Sequence, residues 1–312
     1  MKNNNLKFIL SPIYHALIYP KKAMWYRKIM ADPKKYISEI YKAMNQRDLN
    51  WEHPTDLNEV LNWLKLYGDT SQWPLYADKF RVREYVKSKG LEDMLIPLIG
   101  KYDHVWQIPW DKLPEQFVLK PNNGSNNVIV CNDKKSLNKM RCFSHCIIQE
   151  HRKYGYANYE PHYMQIKPCI IIEKLMDVSK QSVPSSSLID FKIYCVNGEP
   201  EYIWVVTNRT STTCETTLYD LNWKQHNEYC VETAHYRIAN GCIPKPQSLN
   251  KMIDAARRLA NGIPFIRIDL YEIDGKPYFG EMTMAPAGGF ISFHTDEFLK
   301  ILGTKIVLPR KE

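Results

Sequence analysis

The chain has 312 residues, 44% of them hydrophobic and 24% charged, with 20 Tyr, 8 Trp and 10 Phe. That content excludes a disordered chain, and 13 Gly without any short repeat exclude collagen-like and low-complexity classes. The net charge of +8 is concentrated in residues 1–31, where Lys2, Lys7, Lys21, Lys22, Arg27 and Lys28 stand without an acid; the near-neutral body does not read as a nucleic-acid coat.

Residues 1–31 form a basic, apolar N-terminal extension. Phe8-Ile9-Leu10, Ala16-Leu17-Ile18-Tyr19 and Met24-Trp25-Tyr26 leave two readings open: a segment lying on a membrane surface, or an extension packed on the body. Pro12, His15 and Pro20 interrupt the apolar residues and no small-residue cleavage site follows, which disfavours a secretory signal. No run of 18 apolar residues exists, so no membrane-spanning helix is expected.

Residues 33–48 have helical periodicity, with Ile37, Ile40, Tyr41 and Met44 on one face. Asp56 is a good N-cap for a second helix carrying Val60, Leu61, Trp63, Leu64 and Leu66. A third helix follows Ala77-Asp78-Lys79, with Phe80, Val82, Tyr85 and Val86 inward. The first hundred residues are thus helical. The pattern then changes. Phe117–Lys120 and Val128–Cys131 read as strands joined through the polar turn 122–127, and Cys169–Glu173 as another strand. Residues 177–187 are a Ser-rich loop. Residues 190–196 and 202–206 flank Asn197-Gly198, residues 266–271 and 278–282 flank Asp274-Gly275, and each pair reads as a hairpin. Residues 249–259 are a helix. Helices first and antiparallel pairs afterwards make the fold class α+β.

Eight Cys at irregular spacings, with no CxxC pair, suggest reduced thiols in the cytoplasm. Cys142, His145 and Cys146, with His151 beyond, match no usual zinc framework. The P-loop, Rossmann, nucleophile-elbow and zincin motifs are absent. What remains is polar residues on strands. Lys120 ends an apolar strand beside an Asn/Gly turn, an arrangement that suits an anion but, taken alone, reads first as an exposed turn. Arg267 and Asp269 share a strand face, and Glu281 and Thr283 lie on the partner strand. Two carboxylates among Phe265, Ile266, Ile268, Leu270, Phe279 and Met282 need a cation, so a Mg2+ and phosphate site competes with a cross-strand ion pair.

Five blocks carry a family resemblance: Leu61–Tyr67; Ala77–Val86; Leu113–Lys120 with Gly124 and Ser125; Ile166–Leu175 with Asp190-Phe191-Lys192; and Arg267-Ile268-Asp269 with Gly280–Thr283 and Pro286. In this order they resemble the ATP-grasp superfamily, most closely its TupA-like branch of surface-polysaccharide biosynthesis. The resemblance implies two α+β subdomains gripping ATP, a lid over 113–180 and a catalytic part over 181–312, preceded by a helical region over 32–112. It implies that Lys120 meets the α- and β-phosphates, that Gly124 and Ser125 close over them, and that Glu173, Lys174, Leu175 and Met176 hold adenine. Asp190 would bond the ribose, Lys192 and Arg83 would reach the phosphates, and Arg267 would stabilise the transferred phosphoryl group. Asp269, Glu281 and Thr283 would bind Mg2+; Thr283 stands where many ATP-grasp enzymes have Asn, as it does in the TupA-like branch.

The implied function is an ATP- and Mg2+-dependent carboxylate–amine ligase acting through an acyl phosphate. The implied partners are a uronic-acid glycan or sugar and an amino acid, at the inner face of the cell membrane. Rival readings are a glycosyltransferase or small-molecule kinase, and a non-catalytic nucleotide-binding module. The cluster Tyr156, Tyr159, Glu160, His162 and Tyr163 suits either sugar stacking or plain packing, and Ala285–Phe290 is expected to line the acceptor site.

Overall fold

The computed structural model describes residues 24–124, 127–151 and 154–309. Helix α1 is described over 24–31 and followed by α2 (Pro33–Asn45), whose N-cap Asp32 accepts from Lys35 N–H. Ile29, Ile37 and Tyr41 are buried, whereas Met44, expected on the same face, is 48% exposed in the last turn. The Tyr26 ring packs at a tilt against Tyr156, with centroids 4.6 Å apart, so this part of the basic extension packs on the body; Met24, Trp25 and Met30 stay exposed. The remainder of the extension lies outside the described residues. No helix among the described residues is long and apolar enough to cross a membrane.

Helix α3 (Leu57–Tyr67) starts at Asp56, whose carboxylate accepts from Glu59 N–H. The short α4 (Trp73–Ala77) and α5 (Val82–Ser88) follow. Strands β1 (Leu98–Tyr102), β2 (Phe117–Pro121), β3 (Ile129–Cys131) and β4 (Ile170–Lys174) form an antiparallel sheet of order β1-β4-β2-β3. Helix α6 (Lys139–His151) covers it, burying Cys142 and Cys146 against Phe117, Leu119 and Ile172. These thiols act as small apolar groups. Among the described residues no three His, Cys, Asp or Glu side chains gather as a metal cage.

A short helix α7 (Pro161–Met164) leads back into β4. The second sheet comprises β5 (Asp190–Val196), β6 (Glu199–Thr207), β7 (Cys214–Asp220), β8 (Tyr236–Ile238), β9 (Phe265–Ile273) and β10 (Lys276–Thr283). Its order is β10-β9-β5-β6-β7-β8, antiparallel except for β7 with β8. Asn197, Gly198, Asp274 and Gly275 all have positive φ, as tight hairpin turns demand. Helix α8 (Leu249–Ala260) buries Met252, Ala255, Ala256 and Leu259, spaced i, i+3, i+4, i+7, in one core with Ile193, Ile203, Ile266 and Ile268. Helix α9 (Asp296–Lys305) packs on α3. Strands β1, β7 and β8 and helices α4, α6, α7 and α9 extend the sequence expectation. They are short or weakly periodic, and partners distant in sequence complete them.

The polar face of the second sheet builds the site. Register places Lys192 beside Asp269 and Asp269 beside Glu281, with Tyr194, Arg267 and Thr283 as the next row. Strict alternation along β10 would not do this. Phe279 pairs with Leu270, and Glu281 already pairs with Asp269, so Gly280 is an extra residue, a bulge. The bulge shifts the alternation by one and turns Glu281 and Thr283 to the face of Arg267 and Asp269.

Candidate active site

Asp269 is the centre of the polar face. It is 1% exposed, and Arg267 grips it with two bonds, Nε to Oδ1 at 2.6 Å and Nη2 to Oδ2 at 2.8 Å. Lys192 Nζ donates to the same carboxylate and lies 3.3 Å from Asp190. Asp190 also accepts from Arg209 at 2.9 Å. Burial raises the Asp269 carboxyl against the pull of Arg267 and Lys192. Burial opposes the charge on Lys192, yet Asp190 and Asp269 raise its pKa and hold the ammonium charged.

Arg267 Nη2 does more than bind Asp269. It lies 3.3 Å from Glu281 Oε1 and 3.2 Å from Thr283 Oγ1. The three groups expected as metal ligands thus turn one oxygen each toward a single cationic nitrogen. Glu281 is more open than Asp269, with 32% of its side chain exposed against 1%. Burial works against its charge, but Lys79, Lys192, Arg267 and Lys120 together bring its carboxyl down to about 2. This oxygen set fits Mg2+: two carboxylates and a hydroxyl form an incomplete shell of hard donors that phosphate oxygens would complete.

A second group stands on the four-stranded sheet. Lys120 of β2 pairs with Glu173 of β4 at 2.7 Å, and Arg83 of α5 reaches the other Glu173 oxygen at 3.4 Å. Burial lowers the Arg83 pKa, with Glu173 opposing. Lys79 joins the two groups: its Nζ donates to Gly124 O at 2.6 Å and lies 3.5 Å from Glu281. Lys79, Arg83, Lys120, Lys192, Arg209 and Arg267 therefore face Asp190, Glu173, Asp269 and Glu281. The cations outnumber the acids, which favours a polyanion.

The expected site residues fall into place unequally. Arg267, Asp269, Glu281, Thr283, Lys192 and Asp190 come together on one sheet, and Lys120 and Glu173 on the two central strands of the other, met by Arg83 from α5. Lys174 is exposed, and Leu175 and Met176 are half-buried beyond the end of β4. Gly124 sits at the Lys79 ammonium, while Ser125 lies outside the described residues. Lys79 and Arg209 were not expected. Nothing in a single sequence separates Lys79 from its neighbours in Asp78-Lys79-Phe80-Arg81; only the fold brings it to Glu281.

Solved structures with limited likeness include D-alanine–D-alanine ligase from Bacillus anthracis, at 14% identity and a TM-score of 0.38 over 74% of this chain and 59% of that one. The Helicobacter pylori D-alanine–D-alanine ligase is 13% identical, with a TM-score of 0.40 over 81% and 68%. The L-amino acid ligase from Bacillus licheniformis is 13% identical, with a TM-score of 0.40 over 79% and 45%. The chain thus spans about half to two thirds of the length of these structures. No curated protein matches the chain. The sequence model described as TupA-like ATPgrasp matches residues 59–307, four fifths of the chain, so the chain belongs to the TupA-like ATP-grasp family.

Proposed function

We propose that the chain is an ATP- and Mg2+-dependent ligase that joins a carboxylate to an amine. The carboxylate is that of a uronic-acid sugar, and the amine is that of an amino acid, in the building of a surface polysaccharide. The observation that carries this reading is the convergence of Asp269, Glu281 and Thr283 on Arg267 Nη2, with Lys79 and Lys192 beside them.

A carboxylate does not lose oxygen to an amine at neutral pH, so it must first become an acyl phosphate. The share of this chain is positioning and charge neutralisation. Lys120, Lys79 and Lys192 bind the phosphate oxygens, and Arg267 meets the transferred phosphoryl group. The edge from Lys174 to Met176 holds the base and Asp190 the ribose. Glu173, tied to Lys120 and Arg83, orients those cations. When bound by Asp269, Glu281 and Thr283, Mg2+ neutralises phosphate charge. The lid over 113–180 and the catalytic part over 181–312 are the two halves of the grip. The part of residues 1–31 that does not pack on the body is proposed to rest on the cytoplasmic face of the membrane, near lipid-linked glycans. Removal of 1–31 without loss of vesicle association would exclude this.

The test is ADP release. Release that requires a uronate and an amino acid together, with an amide as product, supports the reading. A stable phosphorylated product formed without amine makes the protein a kinase. Sugar-nucleotide turnover independent of ATP makes it a glycosyltransferase.

A further inference from the structure

Helix α3 carries three buried polar residues that phosphoryl transfer does not use. Lys65 is 3% exposed, and its Nζ donates to Asn158 O and to Gly288 O, both at 2.7 Å. Burial lowers its pKa, with the charge of Glu160 pulling the other way. Asn62 is fully buried; its Nδ2 donates to Asn58 O and to Gly289 O, and its Oδ1 has no donor among the described residues. Asn58 grips both main-chain groups of Ile291, donating from Nδ2 to O at 2.9 Å and accepting from N at Oδ1 at 2.8 Å. A face that had only to pack would be apolar, because a buried ammonium and an orphan amide oxygen each cost stability. The position of one loop is what these side chains secure. Pro286 opens that loop three residues after Thr283, whose hydroxyl stands 3.2 Å from Arg267 Nη2. Ala287, Gly288 and Gly289 have successive positive φ, a left-handed turn that L-residues do not hold unaided.

Lys65 also reaches a second segment. Residues 156–158 form a strap tied to three helices in succession. The Tyr156 ring packs against Tyr26 of α1, Ala157 O accepts from the Tyr36 hydroxyl of α2 at 3.1 Å, and Asn158 O accepts from Lys65 of α3. The strap meets the same loop through a side chain. A Cβ on Gly288 would lie 2.5 Å from Asn158 Nδ2 and 2.6 Å from Asn158 Cβ, so Gly288 leaves the room that Asn158 fills. Just before the strap, the Tyr154 ring rests against Gly124, whose carbonyl accepts from Lys79, itself 3.5 Å from Glu281. The strap therefore runs from the Gly124 turn to the loop behind Thr283, and Lys65 bonds strap and loop together.

Resting on the ligation reading, we infer that Lys65 is a positioning residue: it locks the strap 156–158 to the loop 286–289, and the locked pair sets where the carboxylate substrate sits beside the Asp269–Glu281 centre. The nucleotide is assigned to other groups, Lys120 and Glu173 on one sheet and Asp190 and Lys192 on the other, and Lys65 bonds none of them. Loss of Lys65 therefore acts on the two substrates unequally.

The test measures amide formation by the full chain with ATP, amino acids, and glucuronate or galacturonate as the carboxylate. Lys65→Met keeps an unbranched side chain and removes the donors. It should raise the carboxylate KM at least about fivefold and leave the ATP KM within about twofold of wild type. A lysine that only supports the fold would lower kcat as folded protein is lost and would leave both KM values alone. Unchanged KM values, or a rise shared equally by ATP, therefore overturn the proposal. Should Lys65→Met not fold, Gly288→Ala decides. Ala287 shows that this turn accepts a Cβ at positive φ, so the added clash is with Asn158. The same split between KM values should appear. Asn158→Gly in the same chain removes the clashing atoms and should return the carboxylate KM to within about twofold of that of Asn158→Gly alone. A KM that stays raised in the double variant overturns the proposal. Wild type that makes no amide from either carboxylate sinks the ligation reading itself, a different result from unchanged KM values.

Discussion

Arg267 and Asp269 bind each other where a divalent cation is expected, and this changes which substitution is informative. Asp269 is buried between Arg267 and Lys192. Asp269→Ala would take from two buried cations the carboxylate they share, leaving Lys192 to Asp190 and Arg267 to Glu281, and removal of one member of a buried ion group costs up to about 3–5 kcal/mol. Loss of activity in that variant would not separate chemistry from folding. Glu281 is a third exposed at its side chain and keeps the same pairing row. Glu281→Gln should hold a urea midpoint close to wild type while ADP release falls by about 10²-fold or more. Normal turnover in that variant would remove Glu281 from the centre. The Arg267 bridge also predicts how metal binds. With its nitrogen already among the three oxygens, the nucleotide-free protein should take Mn2+ weakly, and ATP should strengthen that binding by supplying phosphate oxygens and drawing Arg267 away. Titration calorimetry with and without a non-hydrolysable ATP analogue reads the difference; tight Mn2+ binding without nucleotide would contradict it.

At the level of single elements, β10 decides the site. A Cβ on Gly280 would sit 2.9 Å from Asp269 O and 3.0 Å from the Tyr271 ring, so the bulge has room for glycine alone. Gly280→Ala should cost about 1–3 kcal/mol by overpacking and should lower ADP release further than that loss explains, because Glu281 moves from Asp269. Urea unfolding and a rate measured well below the transition check both halves; unchanged turnover would show that register does not matter. The sequence makes the hairpin legible through Asp274-Gly275, and Arg267-x-Asp269 legible through alternation. The bulge is not legible, because a glycine in a strand has several readings and only pairing selects one. Lys79, Arg209 and the Lys65 contacts are hidden for a related reason. Their partners lie 19 residues away for Arg209 and 45 or more for Lys79 and Lys65, and local pattern carries no trace of them. Helix α3 shows the same limit from the other side. Its apolar residues announce a helix, but Asn58, Asn62 and Lys65, spaced i, i+4, i+7, hold the loop from Gly288 to Ile291. A polar stripe of that spacing would ordinarily be read as solvated.

Across the whole molecule, two sheets bring like-signed side chains together, and neutral histidines stand behind them. His294 is 3% exposed, shares a hydrogen bond of 2.9 Å with the Tyr194 hydroxyl and lies near Arg267. His162 is 2% exposed, packed between Trp73 and Tyr163 and near Lys65. Burial, with the nearby cation, lowers each imidazole to about 3. In the unfolded chain both return to about 6.5. The unfolded state therefore binds more protons between these values. The stability owed to each neutral histidine is complete above pH 6.5 and is lost as pH falls toward 3, by about 1.4 kcal/mol per pH unit. Glu160, whose carboxyl is raised, works in the opposite direction between about 4.5 and 7, so the informative quantity is a difference between variants. His294→Gln keeps a partner for Tyr194 and removes one titration. Its unfolding free energy, followed by urea titration from pH 7 to pH 5, should fall less than that of wild type, the two slopes differing little above pH 6.5 and approaching a difference of about 1.4 kcal/mol per pH unit near pH 5. Parallel slopes would mean that His294 is already charged in the fold, and that the cations of the cleft do not exclude a further proton beneath Arg267.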